Sequence, residues 1–319
     1  MSAPQRSAAI AGHSPSTSRY RPDIDGLRAI AVLAVVAFHY ELPGFQGGYV
    51  GVDVFFVISG YLITGLLMSA LEEGRFSLAD FYERRIRRIL PALIAVLGAT
   101  CVAGYLVMLP PALTALGWSV LATLGFVSNV HFWAQTGYFD DLAITKPLLH
   151  MWSLAVEEQF YIVFPPLLWL LYARARRHMA AILAALAAAS FALSAYQVGT
   201  AENAAFYLPF GRAWELLAGA WLVVSPWRDR EWRRARVVAG WLAPALLLAP
   251  VFFYDSHNDF PGHGALPPVL ATMALIWSGE TRHPVNRLLA FGPLVAVGLI
   301  SYSLYLWHWP LIVFARLYL

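Results

Sequence analysis

Residues 50–71 read VGVDVFFVISGYLITGLLMSAL, twenty-two residues with one charged side chain, Asp53. A helix crosses the hydrocarbon core of a bilayer with roughly 20 apolar residues, and at 1.5 Å per residue this stretch reaches about 33 Å. In lipid the backbone must satisfy its own hydrogen bonds, which leaves only helices and closed barrels. A barrel strand would alternate polar and apolar residues over about ten positions; this run does not alternate, so it is predicted to be a helix. The pattern recurs along the chain. Ten apolar segments are expected, at 27–42, 50–71, 88–109, 112–134, 152–173, 179–198, 205–225, 236–254, 265–278 and 291–317. The ninth is short and begins beside Pro267 and Pro268. The expected fold class is therefore all-α, a polytopic transmembrane helix bundle, with no internal repeat and no water-soluble domain.

Composition agrees. Hydrophobic residues make up 59% of the chain and charged residues 13%, and the mean hydropathy is +0.60. Soluble domains carry about 25% charged residues, and a soluble chain of this length has no interior large enough for so much apolar surface. The 12 Trp, 15 Tyr and 19 Phe suit aromatic belts at the membrane interfaces. A net charge of +3 is too small to suggest nucleic acid, and no nucleic-acid partner is expected. The single cysteine, Cys101, lies in an apolar run. It excludes an internal disulfide and any cysteine-based metal site, and no metal is expected. Residues 1–20 read as a disordered cytoplasmic tail rich in Ser, Ala and Pro, and 21–319 as one membrane domain. The first apolar stretch starts near Leu27 and others follow at once, so no cleavable signal peptide is expected. The chain stops just after an apolar run, which fits either a piece of something longer or a stand-alone protein.

Arginine clusters set the expected topology, because Lys and Arg in short loops stay cytoplasmic. Arg6, Arg19 and Arg21 place the N-terminus inside. Arg84, Arg85, Arg87 and Arg88 do so for the loop after the second segment, and Arg228, Arg230, Arg233, Arg234 and Arg236 for the loop after the seventh. The loops 41–49, 199–204 and 255–264 carry no Lys or Arg and suit the outside. Arg174, Arg176 and Arg177 break simple alternation. The preferred solution is an incomplete crossing between 110 and 173, beside the polar stretch Gln135–His150, with the end at Leu319 outward.

Several polar residues sit where they are costly. Arg28 and His39 are eleven residues apart, which returns them to one helix face with roughly 16 Å between them along the axis. Ionisable residues inside a span are functional candidates by default; a His capping the outer end of its helix is the plainer reading. Asp25, one turn before Arg28, is placed to pair with it. Arg85 and Arg88, also one turn apart, suit phosphate recognition by planar guanidinium groups, or only mark the cytoplasmic end. His150, Ser153, Glu157 and Glu158 cluster at the edge of an apolar run, and the two adjacent carboxylates point about 100° apart. Arg212 and Glu215 are spaced for an intramembrane ion pair. Tyr305 and His308 lie in an aromatic stretch that is either a site or an interfacial belt. Asp53 and Ser59 are polar at membrane depth with no partner evident in the sequence, while Gly47, Gly48, Gly51 and Gly60 allow close helix approach.

Six strings, IDGLRAIAVLAVVAFHY (24–40), GGYVGVDVFFVISGYLIT (47–64), FYERRIRRILPAL (81–93), PLLHMWSLAVEEQFY (147–161), GRAWELLAGA (211–220) and ISYSLYLWHWP (300–310), together strongly resemble the acyltransferase family 3 membrane proteins. That family includes bacterial O-acetyltransferases of O-antigen lipopolysaccharide and of peptidoglycan. The resemblance runs in order from residue 21 to about 315. It implies a multi-pass protein of the bacterial inner membrane, acetyl-CoA or another acyl-CoA as donor, and a hydroxyl of an envelope glycan or lipid-linked sugar as acceptor. Membrane lipid and an extracytoplasmic SGNH-type domain or protein are further implied partners. The family's Arg-x10-His pattern falls on Arg28 and His39, its Arg-x-x-Arg pattern on Arg85 and Arg88, and its Glu-Glu-Gln-Phe-Tyr run on Glu157 to Tyr161. The expectation is that Arg28, Arg85 and Arg88 dock the donor and that His39 is base or acyl carrier. Glu157 or Glu158 is then expected to orient a histidine. Asp25, Asp53, Ser59, His150, Ser153, Arg212, Glu215, Tyr305 and His308 are expected to contact substrate or support the site. The rival is a transporter or flippase of lipid-linked sugars, which would show internal symmetry or paired broken helices.

Overall fold

A computed structural model describes residues 20–135, 145–228, 232–255, 258–279, 281 and 283–318. Among them there are only helices, turns and irregular links, and no strand. The α-helices run α1 Pro22–His39, α2 Gly51–Glu72, α3 Leu78–Val107, α4 Pro110–Leu124, α5 Ser128–Trp133, α6 Met151–Ala175 and α7 Met179–Val198. They continue with α8 Glu202–Tyr207, α9 Pro209–Val224, α10 Arg233–Phe253, α11 Leu266–Gly279, α12 Pro284–Leu289, α13 Gly292–Leu299 and α14 Ser301–Tyr318. The expected tail at 1–20 lies outside the described residues save Tyr20, as do Arg6, Arg19, Arg230 and the middle of the Gln135–His150 stretch.

The expected all-helical class is met, but the count of ten spans is not confirmed. Among the described residues four stretches are long and apolar enough to cross a membrane: Gly48–Glu72, Leu78–Val107, Met151–Val198 and Arg233–Phe253. A fifth arises if Gly292–Leu299 and Ser301–Leu317, bent by 65° at their junction, act as one. The others fall short for physical reasons. Helix α1 holds Asp23, Asp25 and Arg28 in its 18 residues, whereas α4, α9 and α11 have 15, 16 and 14 residues. Apolar side chains cover the outward faces instead of hiding. On α3 Val102, Tyr105 and Leu106, and on α10 Val238, Trp241 and Leu242, are exposed, an apolar perimeter that suits lipid rather than water.

Helices α1 and α2 form the centre. Around them pack α9, α11, α13 and α14, and α6 closes the side that bears the site. The α2–α9 contact is close, and glycine makes it so. A Cβ on Gly60 would run into the Leu216 carbonyl, and one on Gly219 into the Val57 carbonyl. Backbones therefore touch directly, the small-residue packing that membrane helices use in place of a hydrophobic drive.

Two ends of the bundle can be told apart. Arg176, in the turn after α6, lies 3.6 Å from Glu72 at the end of α2. The same end holds the start of α3 with its arginines. His150, at the start of α6, lies by contrast beside residues of α14 that neighbour His39, the last residue of α1. Helix α3 thus leaves the arginine end and α6 returns to it. The segment between them, α4 and the six-residue α5 broken at Gly125–Val127, begins and ends at the far side.

Candidate functional site

A cavity of about 160 Å³ opens between α1, α2, α3, α6 and α14. At one end stand Arg28, Arg85 and Arg88; at the other Ser153 and Tyr305; Phe55, Ile58 and Leu62 supply apolar wall between them. The helical register explains the layout. Arg85 and Arg88 share a face of α3, and Ser153 and Glu157 share a face of α6 one turn apart.

The basic end is held by carboxylates. Arg85 Nη2 donates to Glu158 Oε1 at 3.0 Å and lies 3.9 Å from Glu157 Oε1. Its guanidinium sits 4.0 Å over the Tyr161 ring, a favourable cation–π distance. Glu157 Oε1 also accepts from Ser59 Oγ at 2.6 Å and from the Tyr161 hydroxyl at 2.5 Å. Arg28 Nη1 is 3.4 Å from Asp25 Oδ1, and Asp25 also accepts from the Tyr20 hydroxyl at 2.8 Å. Arg88 is exposed at the mouth and has no ion pair among the described residues. With Arg28 and Arg85 held by Asp25, Glu157 and Glu158, the guanidinium of Arg88, which has no ion pair among the described residues, makes the mouth suited to an anionic group.

Beyond Tyr305 lie three buried imidazoles. His39 Nδ1 is 2.9 Å from His308 Nε2, the two rings nearly parallel at 23° with centroids 5.1 Å apart. The indole of Trp309 packs 4.5 Å from His39 and donates to the Lys146 carbonyl at 2.8 Å. His308 Nδ1 is 2.6 Å from the Tyr305 carbonyl. His150 Nε2 donates to the Leu306 carbonyl at 3.1 Å. That carbonyl is free to accept because residue 310, one helical turn on, is proline and has no N–H. The Tyr305 hydroxyl donates to the His150 carbonyl at 2.9 Å and meets Ser153 Oγ at 2.6 Å. The WHWP sequence thus does two things: Pro310 releases a carbonyl for one histidine, and His308 supplies the partner of another.

The predicted residues divide into three groups. Arg28, Arg85, Arg88, Ser59, Glu157, Ser153 and Tyr305 line the cavity, with Glu158 bonded to Arg85 and Asp25 behind Arg28. His39, His150 and His308 come together behind Tyr305, and none of the three lines the cavity. Asp53, Arg212 and Glu215 instead form a fully buried triad apart from it, with Arg212 3.1 Å from Asp53 Oδ1 and 3.0 Å from Glu215 Oε1. One expectation fails: among the described residues neither Glu157 nor Glu158 bonds a histidine. Both point to the arginine end, whereas His39 Nδ1 meets His308, 269 residues away. Sequence reading also missed Asn129, whose side-chain oxygen accepts from Gln159 Nε2 at 2.8 Å and clamps α5 to α6. An amide pair of that kind leaves no periodic signal.

Fold and site together define a helical membrane protein with an internal cavity that is arginine-lined at one end, and with a buried histidine cluster packed against Tyr305 of its wall. Comparison with known proteins gives the class a family. The model described as an acyltransferase domain, Acyl_transf_3, matches residues 21–319, and the chain belongs to that family. It is 33% identical over 311 residues to the peptidoglycan O-acetyltransferase OatA of Listeria monocytogenes, covering 92% of this chain and 50% of that protein. It is 34% identical over 323 residues to the putative peptidoglycan O-acetyltransferase YrhL of Bacillus subtilis, covering 94% and 50%. With the O-acetyltransferase OatA of Staphylococcus aureus the identity is 33% over 318 residues, covering 94% and 52%. The chain therefore spans about half the length of the curated relatives it matches. No solved structure matches it.

Proposed function

We propose that this chain is the membrane part of an O-acyltransferase. It takes an acyl group, acetyl by analogy with its relatives' names, from acyl-CoA at the arginine end. It delivers the group toward a hydroxyl of an envelope glycan, peptidoglycan being the acceptor named for two relatives. The observation that carries this reading is the cavity itself, with Arg28, Arg85 and Arg88 at its mouth and Tyr305, which packs against the buried histidine cluster, in its wall. Phosphates suit the guanidinium end, and bidentate arginine contacts suit them better than lysine would. In the reaction the thioester C–S bond breaks and an ester C–O bond forms. His39 Nε2 removes the acceptor hydroxyl proton as the oxygen attacks the carbonyl carbon, and the same proton passes to the departing sulfur. The arginine end is assigned to the cytoplasm and the histidine end to the outer half of a bacterial inner membrane, crossed several times. The transporter reading is not favoured, because the relatives are named as O-acetyltransferases.

The test is His39→Ala, expressed from its own locus and checked for membrane insertion. Mass spectrometry of envelope glycans should show O-acylation lost to the level of a gene deletion. Normal acylation with a well-inserted His39→Ala protein would end the reading.

A further inference from the structure

We propose that His308 is a positioning residue that keeps the hydrogen of the His39–His308 contact on His39 Nδ1. The inference rests on the reading of His39 as base, and it deepens that reading by naming what sets the base.

The argument is one of donors and acceptors. A carbonyl oxygen only accepts, so the 2.6 Å contact between His308 Nδ1 and the Tyr305 carbonyl places a hydrogen on Nδ1. A neutral imidazole carries one hydrogen, so His308 Nε2 holds a lone pair. That lone pair lies 2.9 Å from His39 Nδ1, and two lone pairs do not face each other at that distance. The hydrogen of this bond therefore sits on His39 Nδ1. An imidazole that starts as a base must have its other nitrogen occupied by the hydrogen, and the bond made there decides the tautomer.

Everything around His308 serves to hold this arrangement. Both rings are buried, at 8% and 4% exposed for His39 and His308, so water cannot substitute for either partner. The Tyr305 carbonyl that begins the chain is itself fixed, since its side chain bonds His150 and Ser153. His308 is neutral in this arrangement, whereas the third member of a serine-protease triad is an anion. It can therefore accept the Nδ1 hydrogen as His39 becomes charged, without setting a permanent negative charge in the bilayer.

The experiment uses the full chain in lipid nanodiscs with 15N-labelled histidine. The His39 signals are assigned by their absence in His39→Gln. In the wild type, the protonated nitrogen of His39 should be Nδ1. In His308→Leu that pattern should disappear, and acyl transfer should fall roughly 100-fold or more, the usual worth of a well-set general base. His308→Gln offers an amide oxygen that can accept the same hydrogen; it should restore the Nδ1–H signal and about tenfold of the rate. A wild-type His39 protonated on Nε2 would overturn the proposal, and so would a tautomer or a rate unchanged by His308→Leu. Failure of the underlying function is read separately: an active His39→Ala would remove the base while leaving the tautomer measurement intact.

Discussion

Replacing Arg212 by methionine should destabilise the bundle more than any single change on its surface. Arg212, Asp53 and Glu215 are wholly shielded, and the arginine lies 3.1 and 3.0 Å from the two carboxylates. The rings of Phe56, Trp152 and Phe260 stand 5.3, 5.6 and 5.5 Å from the guanidinium carbon. Methionine fills most of the arginine's apolar volume, so little of the cost is a cavity. What is lost is the cation that, among the described residues, faces two buried acids. Breaking a buried ion pair by removing one partner costs about 3–5 kcal/mol. For a chain of this length a kcal/mol lowers the thermal midpoint by roughly 2 °C, so the expected drop is roughly 6–10 °C. Replacing the whole set, as Asp53→Asn with Arg212→Met and Glu215→Gln, should cost less than the single change, because no unpaired charge remains. Thermal unfolding of detergent-solubilised protein, followed by tryptophan fluorescence, measures both. A single variant within about 1 kcal/mol of wild type, or a triple variant worse than the single one, would refute the reasoning.

Other outcomes follow from the geometry. The double variant Arg85→Lys with Arg88→Lys keeps its charge but loses the planar fork, and should insert normally while binding acyl-CoA about tenfold more weakly in calorimetric titration. Gly219→Leu has no room against the Val57 carbonyl and should cost about 3 kcal/mol or abolish folding. Gly65→Ala meets nothing within 4 Å and should match wild type in the same thermal assay. With Cys101→Ser as background, Arg176→Cys should stay unlabelled by a membrane-impermeant thiol reagent in intact cells. Strong labelling there would place the turn after α6 outside and restore full crossings between α3 and α6.

Composition and unbroken apolar runs make the helical membrane class legible, because lipid leaves the backbone few alternatives. Span number is less legible: the ninth segment already reads as short, but hydropathy does not show that Pro209–Val224 is too short, nor that the last segment breaks at Ile300. Local pairs were readable from helical spacing, as with Asp25–Arg28 and Arg212–Glu215. Pairs that depend on packing were not. Asp53 finds Arg212 and Ser59 finds Glu157 only because α2 is pressed against α9 and α6. The acidic pair was expected near a histidine and instead anchors Arg85. A one-dimensional reading knows that a buried carboxylate needs a partner, but not which end of the helix bundle that partner occupies.

The 65° break between α13 and α14 has an electrostatic consequence. A straight span would carry its helix ends to the two water-facing surfaces. The break instead starts a helix within the protein, with Ser301 and Tyr302 of its first turn on the cavity wall. The amide groups of a first turn lack partners within their own helix, and together they behave as about half a positive charge. The cavity's attraction for an anion is therefore built partly into the backbone. No side-chain substitution removes that share of the field, so variants stripped of their cavity arginines should keep a residual preference for negatively charged ligands.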